Sequence, residues 1–313
     1  MAERVAIVGA GVSGLTCGVV LAERGFQTTI FAKETGQQTT SGAAAAIWFP
    51  YDAQPAEKVI PWALETYKVL IDLTGDPRSG VSMIDLRQFS RTAGIQIPDW
   101  AIPLGAGAVA TGLRPVFNSG FSLRVPLMDT TIYLDYLAGR FEKAGGEIHA
   151  RVRFEKLEEA DRDFDLVINC AGIGARELVR DTDLEPHRGQ IAIVSKIENL
   201  CCAIVCDDAP LMYAIPRRND CVFGGTNDLS SDLAADPATT KRIIAECSRA
   251  LNIEKPRVLA ERVGLRPFRK SGVRLEREKL RDGRIVIHNY GHGGSGFTLS
   301  WGCAREIRDM ATL

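Results

Sequence analysis

One pattern at the start of the chain restricts its fold more than any other. Arg4-Val5-Ala6-Ile7-Val8 is an apolar, β-branched run of strand type, and Gly9-Ala10-Gly11-Val12-Ser13-Gly14 follows it directly. A helical stretch then runs from about Leu15 to Arg24, before a second strand-like run, Gln27-Thr28-Thr29-Ile30-Phe31. A lone G-x-G-x-x-G is weak evidence, but between a strand and a helix each glycine has a use. The first makes the tight turn, the second lets backbone approach a pyrophosphate, and the third lets helix and strand pack closely. The order predicts a Rossmann-like nucleotide-binding unit at the N-terminus.

An acidic residue for the adenine ribose is expected about 20 residues after the glycines. Glu34 meets that spacing, with Lys33 beside it, although the two also fit a solvated ion pair in a turn. An acid suits a free 2′-hydroxyl better than a 2′-phosphate, which favours FAD or NAD over NADP. Thr39-Thr40-Ser41-Gly42-Ala43-Ala44-Ala45-Ala46-Ile47-Trp48 comes next, small and partly hydroxylated. Such a run lets the chain lie flat along an extended cofactor.

A second glycine cluster lies near the other end, in His288-Asn289-Tyr290-Gly291-His292-Gly293-Gly294-Ser295-Gly296-Phe297-Thr298. Four glycines there sacrifice side-chain packing for positive φ and bare N–H groups. The residues from Phe297 to Ile307 read as a helix, whose N-terminal partial positive charge faces whatever the turn approaches. An anionic or electron-rich group is expected at that position.

Composition narrows the class of partner. Among 313 residues, 38 are Lys or Arg and 39 are Asp or Glu, a net charge of −1 with no long basic run, which argues against nucleic acid. No apolar stretch reaches the ~20 residues of a membrane span. The N-terminus enters a strand at once, leaving no room for a signal peptide, so a cytoplasmic protein is expected. Eight cysteines, Cys17, Cys170, Cys201, Cys202, Cys206, Cys221, Cys247 and Cys303, sit largely in apolar runs and read as buried free thiols. Pairing of Cys201 or Cys202 with Cys206 or Cys221 stays open. The four histidines have no metal-ligand spacing, so no metal is expected.

The order of elements predicts an α/β fold in which a Rossmann-like nucleotide-binding domain interleaves with an α+β substrate domain containing a mixed sheet. Residues 1–55, 130–190 and 260–313 are assigned to the first, 56–129 and 191–259 to the second. Helices are expected at Val59–Leu73, Thr131–Ala144 and Thr239–Leu251. Strands are expected at Phe121–Val125, Glu147–Val152 and Leu166–Gly172, then at Gln190–Val194, Met212–Ile215, Cys221–Gly224 and Arg284–Ile287. The stretch between Leu73 and Phe121, with Gly94 in it, reads as turn-rich.

Several further motifs, in order, carry a family resemblance. They are Ala46-Ile47-Trp48-Phe49-Pro50-Tyr51, Asn169-Cys170-Ala171-Gly172, Arg188-Gly189-Gln190, Tyr213-Ala214-Ile215-Pro216, Gly264-Leu265-Arg266-Pro267, Val273-Arg274-Leu275-Glu276 and His288 through Gly302. With Val8 to Leu15, they make the chain resemble the D-amino-acid oxidases over nearly its whole length. These are FAD flavoproteins of the glutathione-reductase-like class. The resemblance implies an FAD site formed by Gly9, Gly11, Val12, Ser13, Gly14, Lys33, Glu34, Thr39, Thr40, Ser41, Ala46, Ile47, Phe154, Ala171, Gly172, Gly293, Gly294, Gly296, Phe297 and Thr298.

It also implies that Arg274 grips the substrate carboxylate with two charge-assisted hydrogen bonds, that Tyr213 donates to the same carboxylate, and that the Gly294 carbonyl accepts from the amine. Phe49 would line the pocket. Arg274 also reads as a surface arginine of a basic stretch, Tyr213 as an ordinary strand aromatic, and Arg266 is given a structural pairing.

Hydride transfer from Cα to FAD, with dioxygen as final acceptor and hydrogen peroxide as product, follows from the resemblance. The N–H groups from Gly294 to Thr298 would stabilise the reduced flavin. Two departures matter: Asp207 to Met212 is shorter than the tyrosine-bearing lid of animal members, and Gly224-Gly225-Thr226 is followed by Asn227-Asp228 rather than the arginine of D-aspartate oxidases. Neutral D-amino acids are therefore expected as substrates, by a more open pocket. Without a C-terminal Ser-Lys-Leu signal, a bacterial-like cytoplasmic enzyme is expected, with a homodimer and a monomer both open. An acidic D-amino-acid oxidase, an NAD-dependent dehydrogenase and a flavin-binding protein without oxidase activity are the rival readings.

Overall fold

The structure is a computed structural model that describes residues 3–110 and 116–312. The chain runs β1 (Arg4–Ala10), α1 (Val12–Ala22), β2 (Gln27–Thr35), α2 (Ala56–Leu73), β3 (Val81–Ser90), β4 (Gly107–Ala108), β5 (Ser119–Met128), α3 (Thr130–Lys143), β6 (Glu147–Ala150) and β7 (Leu166–Asn169). It continues through α4 (Ala175–Leu178), β8 (Leu184–Ser195), β9 (Cys202–Cys206), β10 (Met212–Pro216), β11 (Asp220–Gly224), β12 (Asp228–Leu229), α5 (Pro237–Leu251), β13 (Val258–Arg269), β14 (Arg274–Lys279), β15 (Ile285–Tyr290) and α6 (Gly296–Ala311). Two sheets organise these elements.

The six-stranded sheet has the order β14-β15-β7-β1-β2-β6 and is parallel except for its edge strand β14. Val5, Ala6 and Ile7 of β1 are fully buried, as a parallel strand covered on both faces requires, and this explains their unbroken apolar run. α1 packs against α3 and α6 on one face. There Gly18 leaves room for Ile30 and Phe141, since a Cβ would sit 3.0 Å from each. Phe164 and Leu157 cover the other face, clustered with Ala6, Val167 and Val286 of the strands.

The nine-stranded sheet has the order β12-β8-β11-β10-β9-β3-β5-β4, with β13 pairing β8 as well. Its pairs are antiparallel except β3 with β9. α5 packs its Ile243, Ile244 and Cys247 onto this sheet beside Phe89 and Phe223. Asp236 starts α5 by accepting from the N–H groups of Ala238 and Thr239, with Pro237 at the first helical position, and Asn252 ends it at φ 53°.

The expected helices and strands form within a few residues of their predicted bounds, but two long strands were not legible. β3 lies inside the stretch read as turns, where Ser82, Asp85, Arg87 and Gln88 break up its apolar residues. β13 runs across residue 260, so that proposed boundary falls inside a strand of the second sheet. Seven of the eight cysteines are buried, and Cys201 is exposed. No helix among the described residues is long and apolar enough to cross a membrane.

Two buried histidines stand at the end of β15. His288 lies between Asn169, whose Nδ2 is 3.2 Å from its Nδ1, and Glu278, whose Oε2 is 3.4 Å from its Nε2. His292 shares a 3.0 Å hydrogen bond with Asn289 Oδ1. Burial pushes both imidazoles down to about 4, with the nearby Arg274 adding to the effect at His288. Both are neutral in the folded protein near pH 7.

Two predictions follow from this packing. A Cβ at Gly302 of α6 would lie 2.3 Å from the Trp62 carbonyl oxygen of α2, so Gly302→Ala forces the helices apart. A cost of at least ~2 kcal/mol is expected, read as a lowered Tm and lowered urea midpoint. As pH falls from 6.5 toward about 4, unfolding releases the two histidines to take up protons that the folded state refuses. Stability should therefore decline through that window by an amount on the order of a few kcal/mol. The paired carboxylates Asp181 and Glu278 are held below their usual range and stay charged there. Urea unfolding at pH 7 and pH 5 measures the decline; equal stability at both would contradict it.

Candidate active site

The N-terminal glycine turn is held by backbone against backbone. Gly9 has φ +109°, and a Cβ on it would lie 2.4 Å from the Cys170 carbonyl oxygen at the end of β7. A Cβ on Gly14 would fall 1.9 Å from Gly9 O, so the third glycine sets the α1–β1 contact. Gly11 caps α1 without a side chain, and Ser41 Oγ accepts from Val12 N at 3.0 Å. The helix N-terminus thus opens toward a cleft with its partial positive charge available.

That cleft has a volume of about 830 Å³. Gly9, Gly11, Val12 and Ser13 line it at one point; Lys33, Glu34 and Phe154 line it at another. Thr39, Thr40, Ser41, Ala46 and Ile47 form a further wall, with Ala171 and Gly172. Lys33 and Glu34 also pair with each other at 3.2 Å on an exposed edge, so the solvated pair and the cleft position coexist. Ala46 adopts φ 56°, the left-handed region, as the chain bends into the segment that reaches the second glycine turn.

Gly293, Gly294, Gly296 and Phe297 line the same cleft. Gly293 has φ +53°, and a Cβ there would lie 1.9 Å from Asp52 O; one on Gly294 would lie 2.5 Å from Tyr51 Cδ1. Ser295 Oγ accepts from Tyr51 N at 2.7 Å, and Thr298 Oγ1 accepts from Phe49 N at 3.1 Å and donates to Phe49 O at 3.0 Å. Ser295 gives α6 no side-chain cap, which leaves the helix N-terminus to the cleft. Of the predicted cofactor residues, Gly14 and Thr298 do not line the cleft. Gly14 acts in packing, and the Thr298 hydroxyl is spent on Phe49.

Beyond this turn the cleft widens into a chamber formed by Tyr51, Tyr213 and Arg266. The strands beneath are glycine where these side chains lie over them. A Cβ on Gly189 would lie 2.5 Å from the Arg266 guanidinium nitrogens, and one on Gly224 would lie 2.0 Å from the Tyr213 ring. Arg266 Nη1 donates to Thr226 O at 2.8 Å and to Asn227 Oδ1 at 3.2 Å. Burial pushes the Tyr51 hydroxyl up to about 12, with Asp207 raising it and Arg266 lowering it. Burial likewise raises Tyr213, opposed by Arg266. Both phenols are protonated donors at neutral pH.

Arg274 does not line this chamber. It lies on the edge strand β14 opposite Tyr290, where Nε donates to Glu276, Nη2 donates to Glu278, and Nη1 donates to Tyr290 Oη at 2.7 Å. Tyr290 Oη in turn donates to Asp181, which also accepts from Arg269 Nε at 2.8 Å. These bonds satisfy the guanidinium and hold Arg274 away from the chamber in which the sequence reading had it grip a carboxylate. The arginine in the chamber is Arg266, which the sequence reading treated as structural. Tyr51 was quoted as part of a motif but given no role. Gln88 and Asp207, also on the chamber wall, were not singled out.

An FAD-shaped ligand fits these residues. Two helix N-termini whose cap residues give no side-chain bond, one at each glycine turn, face one elongated cleft that carries hydroxyls between them, and added Cβ atoms at Gly9, Gly293 or Gly294 would disturb its walls. The sequence profile of the FAD dependent oxidoreductase family matches residues 4–310. The chain is 41% identical to a D-amino-acid oxidase of Rubrobacter xylanophilus, covering 98% of this chain and 95% of that one. It is 37% identical to a D-amino-acid oxidase of Streptomyces coelicolor (98% and 96%) and 31% identical to a human D-aspartate oxidase (99% and 94%). Among solved structures, glycine oxidase from Geobacillus kaustophilus superimposes with a TM-score of 0.85 at 18% identity, covering 99% of this chain and 95% of that one. With two glycine turns on one cleft and a family match from end to end, the chain belongs to the FAD-dependent oxidoreductase family.

Proposed function

We propose that this protein oxidises D-amino acids, and that Arg266 rather than Arg274 holds the substrate carboxylate. The placement of Arg266 over a glycine bed, beside two protonated tyrosines, carries this reading. A planar guanidinium gives the carboxylate two parallel hydrogen bonds, and its contacts with Thr226 O and Asn227 Oδ1 keep it in place. Tyr213 and Tyr51 would donate to the same carboxylate or close over it. The Gly294 carbonyl would accept from the amine and so turn Cα–H toward the cofactor. The lobe built on the six-stranded sheet would hold the FAD, and the lobe built on the nine-stranded sheet the substrate.

When bound, FAD supplies the acceptor for the hydride leaving Cα and delivers the electrons to dioxygen, giving hydrogen peroxide. The protein's part is orientation. Arg266 and the Gly294 carbonyl fix two substituents of one carbon, which selects the face presented and hence the D-configuration. The N–H groups at the start of α6 would stabilise the electron-rich edge that develops at the cofactor. The product imino acid would hydrolyse to a 2-oxo acid and ammonia. Asn227 occupies the place where an additional cation would be needed for acidic side chains, so D-aspartate is a poor substrate on this reading. Free thiols at Cys17, Cys170, Cys201, Cys206, Cys221, Cys247 and Cys303 suit a reducing compartment such as the cytoplasm.

Three measurements test the proposal. Peroxide release with paired D- and L-amino acids should respond to the D-series; activity confined to L-amino acids or glycine would reject it. Arg266→Ala should cost ~3–5 kcal/mol of transition-state binding, roughly two to four orders of magnitude in kcat/KM. Arg274→Ala should instead lower Tm, through loss of the Glu276, Glu278 and Tyr290 bonds. The opposite ranking of the two arginines in kcat/KM would restore the role to Arg274. Gly294→Val should weaken FAD retention and turnover together, because its side chain must displace Tyr51; wild-type behaviour would remove the glycine turn from the site.

A further inference from the structure

The chamber wall away from Arg266 has unspent polar capacity. Gln88 is 5% exposed, and its Nε2 donates to Asp207 Oδ2 at 2.8 Å, but its Oε1 has no partner. A buried acceptor without a donor is costly and calls for an explanation. Asp207 opens onto the cleft and pairs with no cation among the described residues. Its neighbour Asp208 is treated differently, accepting from Ser90 Oγ at 2.7 Å and from the Arg91 backbone N–H at 2.5 Å. Two adjacent acids thus have opposite situations: one is satisfied by the protein, while the other faces the cleft with only an amide beside it.

Strand pairing fixes where these groups stand. Gln88 of β3 pairs with Val205 of β9, and Val205 pairs with Tyr213 of β10, so the three side chains share one sheet face. Asp207, just past the end of β9, reaches the same side, where it accepts from Gln88. The Arg266 guanidinium lies over Gly189 of β8. From β8 to β9 the sheet takes three steps through β11 and β10, or ~14 Å at the usual strand spacing. The Arg266 side chain covers part of that span, since it reaches the Tyr213 hydroxyl on β10, and an α-ammonium one carbon from the carboxylate stays at the Arg266 end. A cation at the end of a four-carbon stem extends several ångströms farther toward β9. Leu86, Val205, Leu211 and Ile215 line the cleft along the way and suit the methylene stem.

We propose that Asp207 and Gln88 form a subsite for a terminal cation, so that the preferred substrates are D-amino acids ending in an ammonium or guanidinium group. This departs from the neutral-substrate expectation from the sequence and rests on the oxidase reading above. Asp207 supplies the charge, and Gln88 Oε1 accepts a second hydrogen bond while its amide steadies the carboxylate. Burial and the neighbouring Asp208 both push the Asp207 carboxyl up, so a bound cation would favour its ionised form.

The subsite is tested on FAD-loaded enzyme in two ways. Calorimetry compares 6-aminohexanoate with hexanoate, neither of which has an α-amine to oxidise. The amino compound should bind at least about tenfold tighter, and Asp207→Asn, which preserves an acceptor for Gln88, should erase the difference. Equal or tighter binding of hexanoate to the wild type overturns the proposal, as does a preference that survives Asp207→Asn. Kinetics compare D-lysine with D-norleucine. The ratio of their kcat/KM values should favour D-lysine and fall at least about tenfold in Asp207→Asn. An equal loss on both substrates would place Asp207 at the α-amine or in the framework and overturn it. If no D-amino acid is oxidised, the oxidase reading fails, while calorimetry still decides the subsite.

Discussion

The clamp between residues 49–52 and the C-terminal glycine turn holds the site together. Ser295 binds the Tyr51 backbone and Thr298 binds that of Phe49, while Gly293 and Gly294 leave no room for a side chain against Asp52 and Tyr51. Just upstream, Trp48 N donates to Pro126 O and its indole donates to Ala63 O. One short segment is therefore tied to β5, α2 and α6 at once. It delivers Tyr51 to the chamber and fixes the chamber against the turn that faces the cofactor. Loosening any of these bonds would shift substrate relative to cofactor, and misplacement by a fraction of an ångström is expensive for a reaction that depends on orientation.

The two arginines show how strand position decides chemistry. Arg266 and Arg274 are eight residues apart in equally recognisable motifs, and the chemistry of a guanidinium serves either. Arg266 belongs to β13, whose partner β8 offers Gly189 as open ground beneath the side chain. Arg274 belongs to β14, where Glu276 and Glu278 project from its own strand and Tyr290 stands opposite. The first arrangement leaves a face of the guanidinium for a ligand; the second consumes it. Nothing in local composition distinguishes them, because the deciding neighbours come from strands distant in sequence.

This contrast also marks what the sequence made legible. Both glycine turns could be placed, because their requirements are local: positive φ, close backbone approach and a following helix. The α1 and α6 helices and the parallel strands followed from their apolar runs, since such strands are buried on both faces. β3 and β13 were missed for the opposite reason. Gln88, Arg262 and Arg266 interrupt the apolar residues because one face of this sheet borders an open cleft, so these polar residues that hide the strands also line the cleft. Asp207 was hidden by its neighbour, since Asp207-Asp208 reads as a polar turn until the Ser90 and Arg91 bonds separate the two.

The electrostatics of the chamber then limit how it can work. Tyr51 and Tyr213 are raised by burial and stay protonated, so they donate hydrogen bonds and do not act as bases near neutral pH. His292 is buried, neutral and engaged with Asn289 beneath the turn, away from a role in shuttling protons. Arg266 carries the positive charge and Asp207 the one carboxylate on the wall described above, with Tyr51 feeling both. A chamber of this kind holds a substrate by its charged ends and leaves the bond to Cα–H in between, among groups that neither give nor take a proton readily. Hydride loss suits that setting better than proton abstraction, because it needs an aligned acceptor and a fixed carbon rather than a general base. The catalytic demand falls on geometry, and the geometry is set by glycines where side chains would intrude and by the clamp at residues 49–52.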